Sequence, residues 1–227
     1  YDETEGLFIG GNFWDGRATG EVLGNPAADQ AMGPFLNPVE QNNPSMEAVL
    51  MKIAASKYSV MWKDVYGSPL MWTTPEEIED LYGKVALAVA AYEGSTEVNS
   101  FSSKFDYYLK GMVELTEEEA WGLELFNSEE KGKCALCHIS EGDAPLFTDF
   151  TFDNLGVPKN PENPMYKTNP DFIDPGLGGF LATREEWAGM AAENMGKHKV
   201  PTLRNVDKRP GPGFPKDYTH NGALKSL

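Results

Sequence analysis

Residues 134 to 138 read Cys-Ala-Leu-Cys-His, and this short run takes up both cysteines of the 227-residue chain and one of its three histidines. Two cysteines three positions apart admit four chemistries. A disulfide framework needs more cysteines, and a structural zinc site needs further Cys or His ligands at paired spacing. A thioredoxin-type redox motif needs a strand–helix setting. The histidine directly after the second cysteine selects the fourth option, covalent attachment of haem, for which C-x-x-C-H is the signature. Two thiols add to the two vinyl groups and fix the macrocycle against the backbone. The adjacent imidazole then lies under the iron. Cys134 and Cys137 are therefore expected to hold one haem c, with His138 as its metal ligand.

The surroundings of the motif agree with that expectation. Thr116 and Glu119 form a capping box after Leu115, opening a helix that carries Trp121, Leu125 and Phe126 toward a core. A clearer helix starts at Thr74-Pro75-Glu76-Glu77, with Ile78, Leu81, Val85, Ala88, Val89 and Tyr92 on one face, and Gly94-Ser95 ends it. Asn43-Pro44 reads as an N-cap and first helical residue, followed by Met46, Leu50 and Ile53 at helical spacing. Residues 1 to about 42 are rich in Gly, Asn and Pro and read as loop, and residues 96 to 114 read as a connection. Pro158, Pro161, Pro164, Pro170 and Pro175 argue against long helices after the motif. Strand patterns are few, so the fold class is mainly α with extensive irregular loops.

A formal net charge of -16 makes nucleic acid an improbable partner, because phosphate binding needs clustered Lys and Arg. The acidic surface serves solubility or steers a basic partner at low salt. No apolar run approaches the roughly 18 residues of a transmembrane segment.

Four further stretches carry a resemblance. They are Asn12-Phe-Trp-Asp-Gly-Arg-Ala18, Gln30-Ala-Met-Gly-Pro34 leading to Asn37-Pro-Val-Glu40, Val200-Pro-Thr-Leu-Arg-Asn205, and Thr219-His-Asn-Gly222. In this order around one C-x-x-C-H, from about Leu7 to Leu227, the chain resembles the bacterial dihaem cytochrome c peroxidase family, which includes the MauG-type proteins. The resemblance implies two cytochrome c-like domains, the first incomplete: residues 1–114 as the remainder of an N-terminal peroxidatic domain, and 115–227 as a C-terminal electron-transfer domain. It implies that the motif here belongs to the haem that receives electrons from a small cytochrome c or a cupredoxin. Hydrogen peroxide would be the substrate. Gln30 and Glu40 match the family's distal-pocket pair, Glu40 as the acid–base group that moves a proton between the two peroxide oxygens and Gln30 as an orienting hydrogen bonder. Trp14 matches an electron-relay Trp between the haems, and also reads as an ordinary packed aromatic. His220 matches a His near the haem interface, bonding a propionate or the backbone, and a plain structural role fits it equally. The family also binds calcium through backbone carbonyls, here around Pro215 and Asp217. His198 reads as structural rather than as an axial ligand.

Two departures from the family pattern qualify the match. The family's first C-x-x-C-H lies upstream of the Trp14 motif, and its sixth ligand, Met or Tyr, lies downstream of the His220 turn. The chain therefore reads as a fragment of a longer protein, or as one part of an assembly. Met165, Met190 and Met195 are available as sixth ligands but read as gap-filling side chains. The leading expectation is a periplasmic or cell-surface peroxidase that reduces hydrogen peroxide, as a homodimer or larger assembly. The alternatives are a MauG-type oxidase acting on a partner protein and a non-enzymatic haem c electron carrier.

Overall fold

The computed structural model describes residues 1–209, 211 and 213–227, and among them seven α-helices and one two-stranded ladder account for most of the regular structure. The chain divides into two compact units, Ala18–Ser100 and the pair of segments Tyr1–Arg17 and Phe101–Leu227.

The unit Ala18–Ser100 holds four helices: α1 (Pro26–Leu36), α2 (Met46–Ala54), α3 (Tyr58–Tyr66) and α4 (Pro75–Glu93). The Thr74 capping box is formed, its hydroxyl accepting from the Glu77 amide, and Gly94 is the C-cap as expected. The apolar face is broader than the periodicity suggests. Tyr82, Gly83, Val85, Ala86 and Ala90 are buried, whereas Ala88 and Tyr92 face solvent. The reason is that α4 packs against two neighbours, α1 and α2. Ala86 and Ala90 meet Ala28 and Ala31 of α1, small against small. Val85 instead joins Leu50, Trp62 and Leu70.

Helix α1 falls where the sequence suggested loop. Asn25 caps it, accepting from the amides of Ala27 and Ala28, and Pro26 takes the first turn. Its Gly33-Pro34 pair hides the helix in the sequence; packing of Ala28 and Ala31 on α4 outweighs the weak local propensity. The cap of α2 is Ser45, not Asn43. Asn43 is buried, donates to the Phe35 carbonyl at 2.8 Å and accepts from Lys52, so it ties α1 to α2.

The other unit contains α5 (Lys104–Leu109), α6 (Glu117–Asn127) and α7 (Gly176–Leu181), joined by long loops, with the ladder of β1 (Phe152–Asp153) and β2 (His198–Lys199). Its apolar cluster is built from distant pieces: Phe8, Phe152, Leu177, Leu181 and Ala191. Residues 1–17 belong here because Gly10 donates to the Phe150 carbonyl at 2.9 Å and Lys199 donates to the Trp14 carbonyl at 2.8 Å. Gly16 permits this packing. It sits at φ +75, and a Cβ there would come within 2.6 Å of the Phe152 ring.

Residues 101–109 are held by an ion pair. Asp106, 1% exposed, takes two hydrogen bonds from Arg204 at 2.8 and 3.1 Å, and the guanidinium stacks over Phe101. Donation by Arg204 holds the Asp106 carboxyl far below its ordinary value, helped by the Ser103 hydroxyl and amide against the cost of burial. These ties place residues 101–109 in the same packed unit as Arg204.

The Thr116 capping box of α6 is present as expected, yet α6 buries no residue. Trp121 is 60% exposed, and only Leu123, Leu125 and Phe126 are half-buried. No described helix is long and apolar enough to cross a membrane.

Candidate functional site

The haem-attachment motif follows α6 through a tight reversal. Lys133 donates to the Ser128 carbonyl at 2.8 Å and adopts φ 55; Cys134–Leu136 then form a 3-10 turn, and the His138 amide donates to the Cys134 carbonyl at 2.8 Å. Gly132 lies so close to the end of α6 that a Cβ would stand 2.1 Å from the Leu125 carbonyl oxygen. On the far side of the motif, buried Ser140 donates to Asn127 at 2.7 Å, closing the reversal.

Cys134 and Cys137 are both free and half-buried. The Cys137 Sγ donates to Asp153 at 3.4 Å, and burial, reinforced by Asp153 and Asp149, pushes the thiol up to about 11. His138 Nδ1 lies 2.8 Å from the Phe147 carbonyl oxygen. Facing a carbonyl, Nδ1 must carry the hydrogen, which leaves the Nε2 lone pair for a metal. Phe147 presents its carbonyl from a φ of 54, held between the rings of Phe105 and Phe126 at centroid distances of 5.5 and 6.0 Å. A hollow of about 320 Å³ lies against these rings, lined also by Leu115, Leu123, Lys104 and Glu119. Two thiols outside any disulfide and a histidine oriented by its outer nitrogen fit a covalently attached haem. The Phe147 carbonyl has no side-chain signature and could not be anticipated from the sequence.

Of the three methionines considered as sixth ligands, Met190 packs against the Phe8–Leu181 cluster, as gap-filling requires. Met165 and Met195 are 46% and 51% exposed, so neither fills a core gap.

Gln30 and Glu40 lie in the Ala18–Ser100 unit. Gln30 is half-buried on α1; Glu40 is exposed in the turn after it, where its amide donates to the Asn37 carbonyl at 3.0 Å. The Asn-Pro-Val-Glu stretch is thus a turn whose Asn37 side chain accepts from the Val39 amide, presenting Glu40 outward.

Trp14 and His220 are brought together, with ring centroids 6.4 Å apart. His220 also stacks on His198 at 3.6 Å and 11°. His198 Nε2 is 3.5 Å from Asp174 Oδ1. Burial lowers the pKa of His220, and the neighbouring His198 adds to this against Asp174. His198 in turn is the main cause of the lowered pKa of Asp174, which also accepts from the Gly176 amide at 2.9 Å. Asp174 gave no signal in the sequence, since an Asp before Pro-Gly reads as an ordinary turn residue. Pro215 and Asp217 are exposed, and the Asp217 carboxylate pairs with Lys225 at 2.7 Å.

Comparison with known proteins points in the same direction. Residues 5–114 match the family model described as di-haem cytochrome c peroxidase. The methylamine utilization protein MauG of Paracoccus denitrificans is 29% identical over 99% of this chain and 53% of its own length. The cytochrome c peroxidase Ccp of Escherichia coli is 29% identical over 95% of this chain and 37% of its own. The chain is similar to MauG and to the di-haem cytochrome c peroxidases over nearly its whole length. The family likeness extends to the fold. The crystal structure of the diheme peroxidase BthA from Burkholderia thailandensis superposes with a TM-score of 0.79 at 30% identity, covering 97% of this chain and 50% of that one. The chain spans about half the length of the curated relatives MauG and IdrP2, at 53% of each.

Proposed function

We propose that this chain is the part of a periplasmic or cell-surface cytochrome c peroxidase that carries the electron-receiving haem, within a cytochrome c-like domain. The proposed overall reaction is H2O2 + 2H+ + 2e− → 2H2O, with both electrons delivered one at a time by a small cytochrome c or a cupredoxin. The observation that carries this reading is the His138 arrangement. Its Nδ1 is committed to the Phe147 carbonyl and its Nε2 is free, beside two unpaired thiols at the attachment spacing. When bound, haem supplies a redox-active iron. The chain's own residues do the rest. Cys134 and Cys137 would hold the macrocycle, and His138 would supply an imidazole ligand to the iron. The Gln30 and Glu40 side chains make no hydrogen bond or ion pair among the described residues, which leaves Glu40 free to accept a proton from one peroxide oxygen and return it to the other. Gln30 orients the substrate by hydrogen bonding. Trp14 offers an aromatic path for electrons. The periplasmic or surface location follows from attachment chemistry, which is completed outside the cytoplasm.

The test is steady-state peroxide turnover by the haem-loaded protein with a reduced donor. Glu40→Gln is expected to lower kcat roughly a hundredfold or more with haem content unchanged. Full-length protein carrying both haems yet showing no turnover would overturn the proposal. The match to MauG over 99% of the chain favours a second reading, oxidation of residues in a partner protein by the same haem pair. A Tyr at the family's sixth-ligand position supports that reading and a Met supports the peroxidase. A purely electron-carrying role is indicated if Glu40→Gln changes nothing and the haem only cycles with donors.

A further inference from the structure

Asp174, His198 and His220 come from three separate parts of the chain: the turn before α7, strand β2, and the Thr219–Gly222 turn. Their ligand atoms converge within 4.8 Å of one another. We propose that these three residues form a binding site for a divalent transition metal ion of the zinc class, distinct in every ligand from the haem motif.

Three observations carry the proposal. The His198 side chain is only 10% exposed, and its Nε2 has no hydrogen-bond partner, one of two such buried side-chain atoms among the described residues. A buried, unbonded imidazole nitrogen is costly unless something fills its lone-pair direction. The separation of that nitrogen from Asp174 Oδ1 is 3.5 Å. That is too long for a good hydrogen bond but close to the roughly 3.4 Å edge of a tetrahedron whose metal–ligand bonds are about 2.1 Å. Finally, the Asp174 side chain is 43% exposed, so an ion reaches the site from solvent through the carboxylate while His198 waits behind it.

The third ligand requires a local turn. Rings stacked at 3.6 Å and 11° cannot both aim an in-plane lone pair at one point. His220 makes no hydrogen bond among the described residues, so its ring swings about its side-chain torsions to bring a nitrogen onto the ion. Two imidazoles and one carboxylate are a zinc, cobalt, nickel or copper set, and a poor one for calcium, which takes oxygen ligands. A bound ion would staple the loop before α7 to β2 and to the turn that places His220 beside Trp14.

The experiment is calorimetric titration of Zn2+ into the haem-loaded, chelator-stripped protein, with thermal melts in parallel. One equivalent of Zn2+ binds the wild type and raises its melting temperature. His198→Ala and Asp174→Asn each weaken binding at least tenfold and abolish the thermal shift. A large excess of Ca2+ does not compete. Asp174→Asn retains a carbonyl oxygen for the Gly176 amide, and an unchanged haem absorption spectrum shows that each variant is folded. Absence of one-equivalent binding in the wild type would overturn the site, as would equal affinity in wild type and variants, which would locate the ion on surface carboxylates. Zinc-edge X-ray absorption showing no imidazole in the coordination shell would likewise overturn it.

Discussion

Helices α4 and α6 begin with the same device and end up in opposite circumstances. Thr74 and Glu77 cap one; Thr116 and Glu119 cap the other, with reciprocal hydrogen bonds in both. Yet α4 buries Tyr82, Gly83, Val85, Ala86 and Ala90, and α6 buries nothing. A capping box satisfies orphan backbone donors and so fixes where a helix starts. It says nothing about what will cover the helix. In the Ala18–Ser100 unit, stability comes from helix-on-helix apolar packing. In the unit that carries the haem motif, it comes from a dispersed apolar cluster, a buried ion pair and hydrogen bonds between distant loops.

This contrast can be broken or sharpened by mutation. The largest effect is expected at Asp106. Asp106→Ala leaves the Arg204 guanidinium without its partner and should destabilise by about 3–5 kcal/mol, with the strongest loss of hydrogen-exchange protection at residues 101–109 and 145–148. The pH dependence follows from the sign of the shift. The folded-state carboxyl titrates below its ordinary value of 3.8, so its contribution is fully present above that pH and is lost as pH falls below it. In acid titrations followed by circular dichroism, the gap between wild type and variant should begin to narrow below about pH 3.8 and close only far below it. Leu50→Ala, at a site with no exposure, should cost about 3 kcal/mol and act most strongly on α2 and α4. Removing either cap, Thr74→Ala or Thr116→Ala, should cost about 1 kcal/mol. If the Thr116 cap proves worth far more than that, α6 is more deeply engaged than its exposure indicates. The smallest effect is expected at Trp121, where replacement by Ala should change stability by less than about 0.5 kcal/mol.

What could be read from the sequence were the features with local chemistry. The Thr74 and Thr116 boxes and the Gly94 stop each announce themselves within five residues, and the structure forms all of them. What could not be read was whatever depends on distant partners. Helix α1 was masked by Gly33-Pro34 and forms because Ala28 and Ala31 find Ala86 and Ala90. The burial of Asp106 depends on Arg204, 98 residues away. The Trp121 expectation failed because periodicity identifies an apolar stripe but not the element that meets it. At the candidate site the thiols and imidazole were legible, whereas the Phe147 carbonyl that sets the tautomer of His138 was not, since any residue can supply a carbonyl.

The central claim is that Cys134, Cys137 and His138 hold one covalent haem. It is tested most directly by producing the chain with a haem-attachment system and measuring intact mass and haem absorbance after denaturation. The account predicts a mass increase of one haem that survives denaturation and acidic solvent extraction, and its loss in the Cys134→Ala, Cys137→Ala double variant. Haem that extracts freely from the wild type, or remains bound to the double variant after denaturation, would contradict it.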